Sequence, residues 1–168
     1  MRISVVIPTF NRARLIRGTI PALLGQQIGP GVSYEVIFVD NGSSDETRAV
    51  LSQAAAAAPE LLRYRSIAPT GGPSAPRNVG IRAADGDAVV ILDDDVLPEP
   101  GLVQAYAEFH LRHPEPQQAA VGEAYVPESL LTDPMFSRRL RDLFARHPDF
   151  TTRDLELLRS GRHIRIGE

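Results

Sequence analysis

The stretch Ala88-Val89-Val90-Ile91-Leu92-Asp93-Asp94-Asp95 constrains this chain more than any other, because an apolar run breaks there into three consecutive carboxylates. Bounded by Asp85-Gly86-Asp87 and by Pro98, the run reads as a fully buried parallel strand with the acids at its carboxyl end. In open α/β sheets that end is where ligands bind. Adjacent like charges repel, and a hard divalent cation with oxygen ligands neutralises them most simply. A cation held by few carboxylates keeps positions open for phosphate oxygens, so the cluster points to a site for a metal-bound nucleotide diphosphate. A solvated turn or a helix cap is the plainer alternative for the same three residues.

The alternation before this strand sets the fold class. Residues 3–7 form a β-branched run that ends in Pro8-Thr9-Phe10-Asn11, as a central strand leading into a loop would. Leu15, Ile16, Ile20, Leu23 and Leu24 can share one helical face, and Gly29-Pro30-Gly31 stops that helix. A second strand over residues 34–39 runs into Asp40-Asn41-Gly42, where Ser43 and Glu46 have the spacing of a capping box for a helix reaching about Ala58. Residues 61–67 alternate as an outer strand. A loop rich in glycine and proline follows, with Ser74 as candidate N-cap of a short helix through Ala84. The pattern predicts an α/β fold, a Rossmann-like half with a mostly parallel central sheet and helices on both faces. The first, second and fourth strands are expected near its centre. Pro8-Thr9-Phe10, Asp40 and Asp93 to Asp95 then lie along one edge of the sheet, and their convergence makes a site more compelling than any one loop does.

Beyond Pro98, residues 101–113 read as an amphipathic helix, residues 118–126 as a further strand and residues 135–144 as a helix, after which the pattern weakens. Eight of the 18 arginines fall between Arg138 and Arg165, but seven acids lie between Glu128 and Glu168, so a mixed solvated surface is favoured over a patch for anionic lipid. The four histidines show no metal-pairing spacing and are expected at the surface. A formal net charge of −3 argues against nucleic acid as a partner. The absence of cysteine excludes disulfides and thiolate metal sites, and the absence of lysine excludes Schiff-base chemistry and a lysine grip on phosphate. No apolar run reaches the length of a signal peptide core or a transmembrane segment, so a cytoplasmic location, with peripheral attachment to a membrane as a lesser alternative, is the default expectation.

Four motifs, Val5-Val6-Ile7-Pro8-Thr9-Phe10-Asn11-Arg12, Val39-Asp40-Asn41-Gly42-Ser43-Ser44-Asp45, Pro76-Arg77-Asn78-Val79-Gly80-Ile81 and Leu92-Asp93-Asp94-Asp95 with Pro98 beyond, resemble the family 2 glycosyltransferases of the GT-A fold. Their order and spacing together make the resemblance specific, over roughly residues 1–126. It implies a donor domain for a nucleotide-diphosphate sugar at residues 1–126, a UDP-sugar being favoured, and a partial acceptor-side region, helical or irregular, at residues 127–168. It further implies that Pro8, Thr9 and Phe10 line the nucleotide pocket and that Asp40 accepts a hydrogen bond from the base. Arg77 would sit near the base and pair with Asp40. Asp93 and Asp94 would contact the donor, and Asp93 and Asp95 would hold Mg²⁺ or Mn²⁺. The implied activity is inverting transfer of a sugar to a glycan, lipid or small-molecule acceptor.

The second half departs from the family pattern. Residues 150–159 look like the approach to its glycine-rich turn, after which an acidic motif would supply the catalytic base. Glu123, Glu128, Asp133 and Asp154 are possible stand-ins, none singled out by spacing. A fragment of a longer enzyme and a non-catalytic nucleotide-sugar-binding or interaction module are the two readings this leaves, and the first predicts an exposed core edge. A nucleotidyltransferase is disfavoured because Pro8-Thr9-Phe10-Asn11-Arg12 lacks the glycines of a phosphate loop.

Overall fold

A computed structural model describes residues 1–122. Met1–Gln118 forms a first compact unit, separate from the residues that follow it in the chain. The expected boundary at residue 126, the helix at 135–144 and the four stand-in bases lie outside the described residues.

Eight elements alternate through the first unit: β1 (Arg2–Thr9), α1 (Ala13–Leu24), β2 (Ser33–Asp40), α2 (Thr47–Ala57), β3 (Leu62–Ser66), α3 (Ser74–Ala83), β4 (Ala88–Ile91) and α4 (Leu102–Arg112). All three strand pairings are parallel, in the order β3-β2-β1-β4. Strand periodicity divides the side chains between two faces. Ile3, Val5 and Ile7 of β1 and Val36 and Phe38 of β2 enter one core with Ile16, Ile20 and Leu23 of α1, Leu51 of α2 and Val103 of α4. Val6, Ile37 and Val39 point the other way and pack with Val79 and Ala83 of α3. That second contact depends on Gly80, where a Cβ would stand 2.2 Å from Cγ1 of Val6.

Several expectations about local structure are corrected. Among the described residues β4 pairs only with β1, and it is not buried throughout: Val90 is buried, but Ile91 is 47% exposed. Helix α1 stops at Leu24 instead of reaching Gly29, where the Tyr34 hydroxyl is shared by the carbonyls of Leu23 and Leu24 at 3.0 and 3.1 Å. Leu15 is exposed, since the buried face runs through Ile16, Thr19, Ile20 and Leu23. The Ser43 and Glu46 capping box does not form: Ser43 Oγ accepts the Asn11 N–H at 2.9 Å, and Glu46 pairs with Arg17 at 2.8 Å. Ser74 is the first residue inside α3 rather than its cap. Residues 118–122 carry no strand, and the rest of the strand expected there lies beyond the described residues. Among the described residues no helix is long and apolar enough to cross a membrane.

Candidate functional site

The chain places β1, β2 and β3 in one direction across the sheet, then crosses back to set β4 on the other side of β1. Such a reversal opens a crevice at the carboxyl ends of the two adjacent strands. A cleft of ≈ 540 Å³ lies there, within the size range of small-molecule sites. After β1 it is lined by Pro8, Thr9, Phe10 and Arg12, and after β2 by Asn41. Residues 70–73, with Pro76 and Arg77 of α3, form another wall, and Asp93, Asp94 and Asp95 close it after β4.

The three consecutive acids have three different environments. Asp94 is buried; Thr9 Oγ1 donates to its Oδ2 at 2.6 Å, and Arg12 Nε lies 3.8 Å from its Oδ1. Its own carbonyl accepts from Thr19 Oγ1 of α1 at 3.1 Å. Burial pushes its pKa up; the Thr9 hydrogen bond and the Arg12 charge pull it down, and Asp95 and Asp93 push it further up, for a net rise. Asp93 is exposed and receives Arg77 Nη2 at 2.6 Å. Arg77 Nε is buried and has no hydrogen-bond partner among the described residues. Asp95 is exposed.

Asp40 is fully buried and does not line the cleft. Its Oδ1 accepts the Ser43 N–H at 2.9 Å, and its Oδ2 accepts Ser66 Oγ at 2.9 Å and Arg48 Nε at 3.4 Å. Burial raises its pKa, but the hydrogen bonds from Ser43, Ser66 and Arg48 outweigh it and hold the carboxyl below the usual range. The expected pairing of Arg77 with Asp40 is therefore absent, each having found a closer partner. The residue that faces the cleft from β2 is Asn41, whose Oδ1 accepts both the N–H and the hydroxyl of Thr70 at 3.0 and 2.9 Å. This clasp fixes the loop at residues 70–73 against the sheet. Backbone conformation supports it from below: Gly42 has φ +77°, and a Cβ there would meet Pro69 Cγ at 2.5 Å.

The turn between β1 and α1 is held from behind. Asn11 takes a left-handed φ of 52°, and its Oδ1 accepts the N–H groups of Ser44 and Asp45 at 2.8 and 3.3 Å. Asparagine tolerates that conformation better than most residues. Among the cleft residues that sequence reasoning did not assign, which include residues 70–73 and Pro76, Asn41 and Arg12 are the two that follow β2 and β1. Both sat in plain view inside quoted motifs; extended-chain alternation turns one of Asp40 and Asn41 to each side, but only the neighbouring strand decides which.

Among the described residues no three acidic or histidine side chains converge into a ready-made cation cage. Asp93 and Asp95 nevertheless put two exposed carboxylates on the cleft wall. Two hard oxygen donors with open positions suit Mg²⁺ or Mn²⁺ sharing its shell with substrate phosphates.

The sequence profile of glycosyl transferase family 2 matches residues 4–159. The chain belongs to that family. Among family 2 relatives, a poly(ribitol-phosphate) beta-glucosyltransferase of Bacillus spizizenii is 34% identical over 63% of this chain and 17% of its own length. A validoxylamine A glucosyltransferase of Streptomyces hygroscopicus is 29% identical over 94% of this chain and 38% of its own. This family 2 chain thus spans well under half the length of either relative. The sheet with helices on both faces is the GT-A arrangement of the solved neighbours. Staphylococcus aureus TarS 1–349 in complex with UDP-GlcNAc aligns with TM-score 0.61 at 27% identity, over 79% of this chain and 39% of that one. The Pyrobaculum calidifontis mannosyltransferase PcManGT, solved with GDP-Man and Mn²⁺, aligns with TM-score 0.58 at 25% identity, over 83% and 38%.

Proposed function

We propose that residues 1–126 bind the nucleotide-diphosphate sugar donor of a glycosyltransferase, with UDP-sugar the favoured class. The observation that carries this reading is the cleft at the reversal of strand order, whose wall holds two exposed carboxylates, Asp93 and Asp95. Two further features support it. Phe10 lines the cleft yet is 50% exposed, as a platform for a flat base would be. Arg77 stands on the same wall with its Nη2 on Asp93 at 2.6 Å, which keeps that carboxylate at the cleft. Neighbours solved with UDP-GlcNAc and with GDP-Man and Mn²⁺ fit the same chemistry.

In this reading Pro8, Thr9 and Phe10 form the nucleotide wall, and Asn41 takes the cleft-facing position beside the base. Asp40, sealed behind it, acts by holding the β2 turn in shape. Arg77 keeps Asp93 oriented until the donor enters. Asp94 braces the loop through Thr9 and Thr19 rather than touching the donor. Asp93 and Asp95 would hold Mg²⁺ or Mn²⁺, which supplies charge stabilisation to the departing diphosphate. Sugar transfer would proceed with inversion at the anomeric carbon, and the acceptor, a glycan, lipid or small molecule, would be received by residues beyond the donor part.

Calorimetric titration of UDP and of GDP into the chain, with and without Mn²⁺ and repeated on Asp95→Ala, tests the reading. Binding that needs the cation and disappears with the substitution is expected. Nucleotide binding unaffected by both cation and substitution would remove the metal assignment, and no binding of either nucleotide would remove the donor site itself.

A further inference from the structure

We infer that Arg12 grips the diphosphate of the donor, acting as the protein's own counter-charge to the leaving group beside the cation; this rests on the donor-site reading above. The chain has no lysine, so any fixed positive charge facing the cleft must be arginine or histidine. Among the described residues only Arg12 and Arg77 line it. Arg77 is committed, with Nη2 2.6 Å from Asp93. Arg12 is not: its Nε stands 3.8 Å from Asp94 Oδ1, an ion-pair distance too long for a hydrogen bond. Among the described residues its guanidinium makes no hydrogen bond, so its five N–H donors remain available.

The surroundings fix where that free guanidinium stands. The Arg12 backbone N–H donates to Thr47 Oγ1 at 2.9 Å, and the Ala13 N–H donates to Asp45 Oδ2 at 3.2 Å. Helix α1 has therefore spent the first backbone donors with which a helix end would otherwise hold phosphate. The side chain must do what the backbone does not. Asp94, locked by Thr9, draws the guanidinium to the cleft without saturating it, a loose tether that a diphosphate carrying more charge can outcompete. A planar fork of donors matches two phosphate oxygens better than a point charge would.

The test compares UDP with uridine, and GDP with guanosine, in Mn²⁺ on the unsubstituted chain, Arg12→Gln and Arg12→Lys; diphosphates are followed by calorimetry and nucleosides by NMR titration. Arg12→Gln should weaken the diphosphate by about tenfold to a hundredfold, the loss expected of one hydrogen-bonded charge contact, and leave the nucleoside within about twofold. Arg12→Lys, which keeps the charge and loses the fork, should fall between, and it carries the same comparison if the glutamine variant does not fold. Equal weakening of diphosphate and nucleoside, or no weakening of either, overturns the role of Arg12 while leaving the donor site standing. Failure of the unsubstituted chain to bind any diphosphate overturns both.

Discussion

A buried carboxylate flanked by two others has to be satisfied from nearby, and at Asp94 one hydroxyl carries most of that burden. Thr9 Oγ1 at 2.6 Å is the only hydrogen-bond donor to its carboxylate among the described residues. Thr9→Val keeps the shape and deletes the donor, so it should cost about 1–3 kcal/mol of unfolding free energy, the penalty for a buried polar group left unpaired. Thr9→Ser should restore most of it. Urea denaturation of the two variants side by side checks this, and equal losses would mean that the methyl group, not the hydroxyl, matters. The same residues show what the sequence leaves hidden. Three identical letters announce a charged strand end, but they do not say that the middle one turns inward to Thr9 while its neighbours face solvent. Asp40 and Asn41 pose the same problem. The acid, the more conspicuous of the two, is consumed by Ser43, Ser66 and Arg48, which only the folded chain brings together.

Among the elements, α3 shows most clearly how one substitution changes sign with context. Gly18 of α1 has nothing within 4 Å of a Cβ, so Gly18→Ala should stabilise by about 0.5–1 kcal/mol, the difference in helix propensity. Gly80→Ala gains the same propensity and loses more, because the new methyl would meet Val6 Cγ1 at 2.2 Å and must push the helix off the sheet. A net loss of about 1–3 kcal/mol is expected. Thermal unfolding should shift in opposite directions for the two variants; a shared direction would show that α3 packs on β1 less tightly than this spacing requires. Element order and type were legible because period-2 and period-3.6 runs alternate cleanly between glycine and proline breaks. Ends were less so. Ser43 was spent on Asn11 rather than on α2, and α1 was stopped by a tyrosine from the next strand, so both ends were decided by tertiary partners that no local pattern carries. The partial exposure of β4 escaped for a similar reason: an apolar run gives burial as its simplest meaning, and only the folded chain tells which of its residues are covered.

Across the whole sheet, a single buried acid ties all four strands together at the end opposite the cleft. Glu35 of β2 accepts Ser4 Oγ of β1 at 2.6 Å, Arg63 Nε of β3 at 2.8 Å and the Asp85 N–H ahead of β4 at 2.8 Å. Arg63 also reaches Asp85 at 2.9 Å, and the Gly86 N–H donates to Ser4 Oγ at 2.9 Å. Burial raises the Glu35 pKa, but Ser4, Asp85 and Arg63 together outweigh it, and the carboxyl sits below its ordinary value. A depressed folded-state pKa means that the unfolded chain takes up the proton first on acidification. The stability contributed by Glu35 is therefore complete above the unfolded carboxylate range, near pH 4, and drains away as the pH falls through it toward the folded value. Glu35→Gln keeps the size and removes the charge, which should cost about 1–3 kcal/mol at pH 7, less than a fully buried pair because Arg63 is partly exposed. Urea midpoints of the two proteins should lie closer together at pH 3.5 than at pH 7, since in that interval the unfolded glutamate begins to take up a proton that the folded one resists. A gap that stays constant with pH would mean that Glu35 holds the strands by shape and hydrogen bonding alone, and that its charge is not what fixes the far end of the sheet beneath the cleft.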